Sequence, residues 1–282
     1  MLLSTQQEKL FHKLKWVILA IVMAAMLLLV GSSLVQTQPG QQSTVGSIST
    51  SAGIQGLIPN PFTASDFTYD ENGYMTCLQG ESLLGIDVSV HQGEIRWEEV
   101  AQSDVRFAMI RLGHRTVREG VLQVDKRWEE NYSGATLAGL KVGVYFYSQA
   151  ISVEEARQEA QLLLDTLDGR PLDMPVVFDW EVYDEQGRNV HLDKQTLSAC
   201  AIAFCEMISQ AGYQPMIYFN SDLSFYRWDL ELMQSRGYEF WLVQLKPFID
   251  RPYRVNMWQY SWSGSVPGID TNVDMNLYFS YE

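Results

Sequence analysis

From residue 84 to residue 279 the hydrophobic positions switch between two rhythms. One is a short, almost continuous apolar run, the pattern of a strand covered on both faces. The other spaces apolar residues three and four apart, the pattern of one helix face. The runs Leu84–Val88, Arg106–Leu112, Lys141–Tyr147, Pro175–Glu181 and Gln214–Phe219 predict five strands. Helices are predicted after them over 94–102, 127–138, 152–167 and 193–212, with a less regular one over 222–236. Ser152 and Glu155 make a capping-box pair, Asp193 can cap the fourth helix, and Gly139 and Gly212 mark two helix ends. Three further runs follow: Glu239–Gln244, Val255–Tyr260 and Val273–Phe279. Eight strands, alternating with helices at first, predict an α/β fold, a TIM-like (β/α) barrel whose last helices are lost.

The amino-terminal 81 residues follow other rules. Trp16–Val30 is an unbroken apolar run, extendable to Val35, which is long enough to cross a bilayer as a helix. Lys9, Lys13 and Lys15 precede it and the next charge is Asp66, so residues 1–15 should stay in the cytoplasm. An uncleaved signal-anchor over 16–35 is the expectation, and a cleaved signal peptide is the rival. Residues 36–65 are uncharged and rich in Gln, Ser, Thr and Gly, a composition that cannot bury enough surface to fold alone. They read as a flexible extracytoplasmic linker, continued by a poorly defined segment to residue 81. The barrel is then expected over 82–282.

Composition narrows the function. The 282 residues carry a net charge of −14 and no basic stripe, which argues against nucleic acid as a partner. Eight Trp and fourteen Tyr suit a carbohydrate cleft, although most must serve as core. Three cysteines fit no metal or redox spacing. Cys200 and Cys205, five apart on one predicted helix, read as unpaired core residues, and Cys77 as a thiol outside the core, free or paired between chains, with the free state preferred. No cofactor is implied, and the oligomeric state is left open.

The chemistry concentrates at the carboxyl ends of the strands, where barrel enzymes react. Asp179 and Glu181 are two apart at the end of an apolar strand and so emerge on one side. Two neighbouring acids repel, so one should keep its proton to unusually high pH while the other stays charged. Asp87, Arg111, Tyr145, Tyr147, Tyr218, Asn220, Gln244, Gln259 and Asp274 fall at the ends of other strands. No His pair, Cys cluster, Ser-His-acid set or glycine-rich phosphate loop accompanies them. His91 and His114 read as polar lining. Acids with aromatics point to glycoside chemistry.

Several motifs occur in order: Gly85-Ile-Asp-Val-Ser-Val-His-Gln-Gly93, Ala138-Gly-Leu-Lys-Val-Gly-Val-Tyr-Phe-Tyr-Ser148, Pro175-Val-Val-Phe-Asp-Trp-Glu181, Trp258-Gln-Tyr260 and Val273-Asp-Met-Asn276. Over residues 82–282 the chain resembles the glycoside hydrolase family 25 lysozymes. The resemblance implies a (β/α)5β3 barrel that cleaves the β-1,4 bond between N-acetylmuramic acid and N-acetylglucosamine in peptidoglycan. It implies Glu181 as general acid, with Asp179, Asp87 and Asp274 as the other catalytic acids. Tyr147, Tyr145, Arg111, Tyr218, Trp241 and Gln259 are the expected substrate-binding residues. Partners would be peptidoglycan glycan strands, and the membrane through the amino-terminal helix. The chain departs from the family after Trp241, where Leu-Val-Gln-Leu245 replaces a pattern ending in Tyr, and at His114, where Tyr is common. A catalytically silent, peptidoglycan-binding scaffold is the alternative of a different class. A chitinase-like barrel would want an acid two residues before Asp179, where Val177 stands.

Overall fold

The structure, a computed structural model, describes residues 56–182, 186–220 and 227–281. The expected cytoplasmic tail and transmembrane segment, and the linker as far as residue 55, lie outside the described residues. Eleven strands are described: β1 Phe67–Tyr69, β2 Met75–Cys77, β3 Glu81–Val88, β4 Phe107–Arg115, β5 Leu122–Val124, β6 Lys141–Ser148, β7 Val176–Trp180, β8 Pro215–Asn220, β9 Glu239–Val243, β10 Met257–Gly264 and β11 Val273–Ser280. The α-helices are α1 Trp97–Gln102, α2 Trp128–Leu137, α3 Val153–Leu167, α4 Lys194–Gln210 and α5 Leu230–Ser235.

Eight strands close into a ring, ordered β3-β4-β6-β7-β8-β9-β10-β11 and back to β3. All neighbours are parallel except β11, which runs antiparallel to both β10 and β3. A described α-helix follows each of β3, β4, β6, β7 and β8 before the next barrel strand, and no described α-helix follows β9 or β10. The two capped helix starts, at Ser152 and Asp193, are those read from sequence, whereas the first helix begins at Trp97 instead of 94. The Ser152 hydroxyl accepts from the Glu155 backbone N–H at 3.3 Å, and the Asp193 carboxylate from that of Thr196 at 2.8 Å. β5 was not expected; it pairs with Gly113–Arg115 and extends β4 into a hairpin.

Side-chain alternation along the strands fills two cores. Inside the ring, Phe107, Met109, Val177, Met216, Met257 and their neighbours form one buried cluster. Gly85 belongs to this interior, because a Cβ there would lie 2.3 Å from the Phe107 ring. Outside, the opposite faces of the same strands pack against the helices, with Phe178 meeting Phe204 of α4 at a centroid distance of 5.1 Å. Burial on both faces is why these strands read as continuous apolar runs.

Residues 56–81 correct the expected flexible linker. They lie against the part of the ring where no described α-helix follows the strands. Phe62 packs on Phe279 of β11 at 4.7 Å and Phe67 on Trp258 of β10 at 5.0 Å. The Met75 N–H donates to the Tyr260 hydroxyl, and the Asn60 side chain donates to the Arg251 carbonyl at 3.0 Å. Cys77 is buried in this layer, not outside the core, and all three cysteines are free. The aromatic residues of the segment give it the apolar area that the flanking Ser- and Gln-rich composition concealed.

Candidate active site

Strand β7 carries the pair from which the site is built. Val177 and Asp179 face the interior, whereas Phe178 and Trp180 face the helix layer. Val177 is fully buried there, an apolar residue at the position where a chitinase-like site would need its further acid. Glu181 lies one residue past the strand, and side chains fix its backbone instead of the ladder. The buried amides of Gln149 and Asn189 both donate to its carbonyl, at 2.9 and 2.7 Å. Register then sets the neighbours level: Tyr147 with Asp179, Asp179 with Tyr218, and Tyr218 with Trp241. On the antiparallel pair, Asp274 stands directly across from Asp87.

These side chains line one cleft of about 470 Å³. All ten residues named from sequence are in its wall: Glu181, Asp179, Asp87, Asp274, Tyr147, Tyr145, Arg111, Tyr218, Trp241 and Gln259. His91 joins them, while His114 does not. Gln244 turns away, and its buried amide accepts from the Asp250 N–H at 3.0 Å. Asn220 is exposed outside the cleft lining.

Four carboxyl groups share this space, and burial governs all of them. Glu181 is pushed up to about 7 by burial and by the charge of Asp87, with a hydrogen bond to Asp179 pulling the other way. Asp179 is held well above the carboxylate range by its own burial and by the charges of Glu181 and Asp87, which Arg111 only partly offsets. Asp274 is pushed up to about 8, by burial and then by Asp87 beside it. Asp87 is also raised by burial, but hydrogen bonds from Asn276, Gln259 and Asp274 support its charge. A hydrogen bond between two carboxyl groups needs a proton in it, so Asp179–Glu181 and Asp87–Asp274 are two proton-sharing pairs. A general acid at Glu181 implies the charge of the first pair on Asp179; the deeper burial of Asp179 instead favours a proton there in the structure as it stands.

Three features of the site were missed from sequence. Asp125, fully buried at its side chain, pairs with Arg111 at 2.7 Å and accepts from the Val90 and Arg127 backbone N–H groups. It follows the unexpected strand β5, so nothing in the apolar pattern marked it. Asn276 donates to Asp87 at 2.8 Å and accepts from the Trp241 indole at 2.9 Å. Its signal was present, since it is two positions after Asp274 on one strand. The amides Gln149 and Asn189, far apart in sequence, had no such signal.

The family model for glycosyl hydrolases family 25 matches residues 86–269. The chain belongs to glycosyl hydrolase family 25. This family 25 chain is 29% identical over 197 residues to an autolytic lysozyme of Clostridium acetobutylicum, across 69% of this chain and 55% of that protein. It is 30% identical over 203 residues to the uncharacterised YegX of Escherichia coli K12, across 70% of each. The autolysin LytC of Streptococcus pneumoniae, solved with a synthetic peptidoglycan ligand, shares the fold with a TM-score of 0.62 at 22% identity, over 76% of this chain and 50% of that one. A family 25 glycosyl hydrolase of Bacillus anthracis superposes with a TM-score of 0.58 at 20% identity, over 71% and 90%. The chain thus spans about half the length of the autolytic lysozyme and of LytC.

Proposed function

We propose that this family 25 chain is a peptidoglycan hydrolase, a muramidase that cleaves the β-1,4 bond between N-acetylmuramic acid and N-acetylglucosamine. The observation that carries the reading is the Asp179–Glu181 pair at the floor of a cleft walled by Tyr147, Tyr218 and Trp241, with Glu181 titrating near neutrality. A group with its pKa near the working pH combines proton occupancy with readiness to give the proton up. Glu181 donates that proton to the leaving glycosidic oxygen. The 2-acetamido oxygen of the muramic sugar attacks the anomeric carbon as the bond breaks, giving an oxazolinium. Water then adds to that carbon, Glu181 takes the water proton, and the acetamide is restored. Asp179 orients the acetamido N–H and, once it accepts that hydrogen bond, its charged form is stabilised. The shared proton is thereby driven to Glu181 when substrate binds.

Glu181→Gln should lower turnover by about 10²–10⁴-fold with the fold intact; retained muramidase activity removes Glu181 from the role. We further propose residues 16–35 as a single-pass signal-anchor that leaves the barrel outside the cell membrane, on the strength of the apolar run and the three lysines before it. Resistance of the full chain to alkaline extraction from membranes tests this, and complete release into the supernatant contradicts it.

A further inference from the structure

The hydrogen bonds beneath the acids have a direction that one atom fixes. Asp87 Oδ2 accepts from Gln259 Nε2 and from Asn276 Nδ2, both at 2.8 Å. Gln259 could in principle be turned round, because its other partner, the Tyr218 hydroxyl at 3.0 Å, can donate or accept. Asn276 cannot. Its oxygen faces Trp241 Nε1 at 2.9 Å, and an indole N–H only donates. Asn276 must therefore present its NH₂ to Asp87 Oδ2, which favours the charged form of Asp87. Asn276 and Trp241 are fully buried or nearly so, which removes water as an alternative partner.

The second carboxyl of this pair, Asp274, lies across the β3–β11 ladder from Asp87 and is hydrogen-bonded to it. One proton serves the two. The member with two aimed N–H donors is the better anion, and the other takes the proton. Asp87 is thus the charged member of the pair, and its charge is among the causes that hold Glu181 above the carboxylate range, after burial.

We propose that Asn276, with its amide polarity set by the Trp241 indole, is a positioning residue that keeps Asp87 the charged member of the Asp87–Asp274 pair and, through that charge, keeps a proton on the Asp179–Glu181 pair. The inference rests on Glu181 being the general acid. The charged and titratable groups that line the cleft with Glu181 are Asp179 of β7, Asp87 of β3, Asp274 of β11, Arg111 of β4, and His91 in the turn after β3. Tyr145 of β6 and Tyr218 of β8 are pushed well above the phenol range by burial and stay neutral, and Tyr147 completes the β6 side.

The test is the pH profile of kcat/KM on purified peptidoglycan for the full chain and for Asn276→Leu. Leucine keeps the volume and cannot donate, so Asp87 becomes easier to protonate and Glu181 loses its charged neighbour. The basic limb should move to lower pH by about half a unit or more. His91 is common to both proteins and drops out of the difference. A uniform loss at every pH with both limbs in place marks a merely structural role and overturns the proposal. If Asn276→Leu does not fold, Trp241→Phe releases the amide while keeping a ring at that position; a smaller narrowing in the same sense is expected, and unmoved limbs overturn the proposal. Glu181→Gln measured in parallel separates the two levels. If that variant stays active the general-acid reading itself is lost, whereas an inactive Glu181→Gln beside unmoved limbs removes only the role of Asn276.

Discussion

At the scale of single residues, the cleft stores four acids in a space that disfavours their charge, and stability bears the consequence. Burial raises Asp274 to about 8 and Glu181 to about 7, above the values these groups have in an unfolded chain. A raised folded-state pKa means that the native protein holds protons the unfolded chain has released. These groups therefore do not oppose folding below about pH 4, and their penalty grows as pH rises from there, reaching its full size once pH has passed 7 and 8. Asp274→Asn should raise Tm clearly at pH 8 and hardly at pH 4, read by thermal unfolding at the two pH values; an equal gain at both would refute the assignment. The same Glu181 value fixes the activity profile of the intact protein, whose kcat/KM should fall as pH rises through about 7 and Glu181 deprotonates. Asn189→Ala removes one of two donors on the Glu181 carbonyl, so kcat should drop by about tenfold, the size of a single lost hydrogen bond of about 1.4 kcal/mol, with KM little changed.

At the scale of elements, the amino-terminal segment does for β10 and β11 what helices do for the earlier strands. Phe67 is buried against Trp258 and Phe279, so Phe67→Ala should cost about 3 kcal/mol, or a Tm loss of roughly 6–12 °C. A chain beginning at residue 82 should be markedly less stable than one beginning at residue 56; equal thermal unfolding of the two would show that the layer is dispensable. Sequence alone made the barrel strands legible because they are buried on both faces and leave no polar positions to blur the run. It missed β1, β2 and β5, which are three residues long and carry too few positions to show a period. It also placed all ten expected site residues in one cleft, because strand ends in a parallel barrel point to one rim. Asp125, Gln149 and Asn189 escaped, since they act through backbone carbonyls and a buried ion pair, contacts that depend on which loops meet.

At the scale of the whole molecule, the proposed activity would have a chain with net charge −14 approach a wall polymer that itself bears carboxylates. Attraction cannot come from bulk charge, so binding must come from the aromatic wall and hydrogen bonds inside the cleft. Raising salt within the physiological range should therefore leave KM unchanged or lower it, and a steep loss of affinity with salt would contradict this. The most direct measurement of the central claim is digestion of purified peptidoglycan by the full chain and by Glu181→Gln, with the new reducing ends identified by mass spectrometry. The account predicts N-acetylmuramic acid at the new reducing end with the intact protein and no release with the variant. Reducing N-acetylglucosamine, or undiminished release by Glu181→Gln, would contradict it.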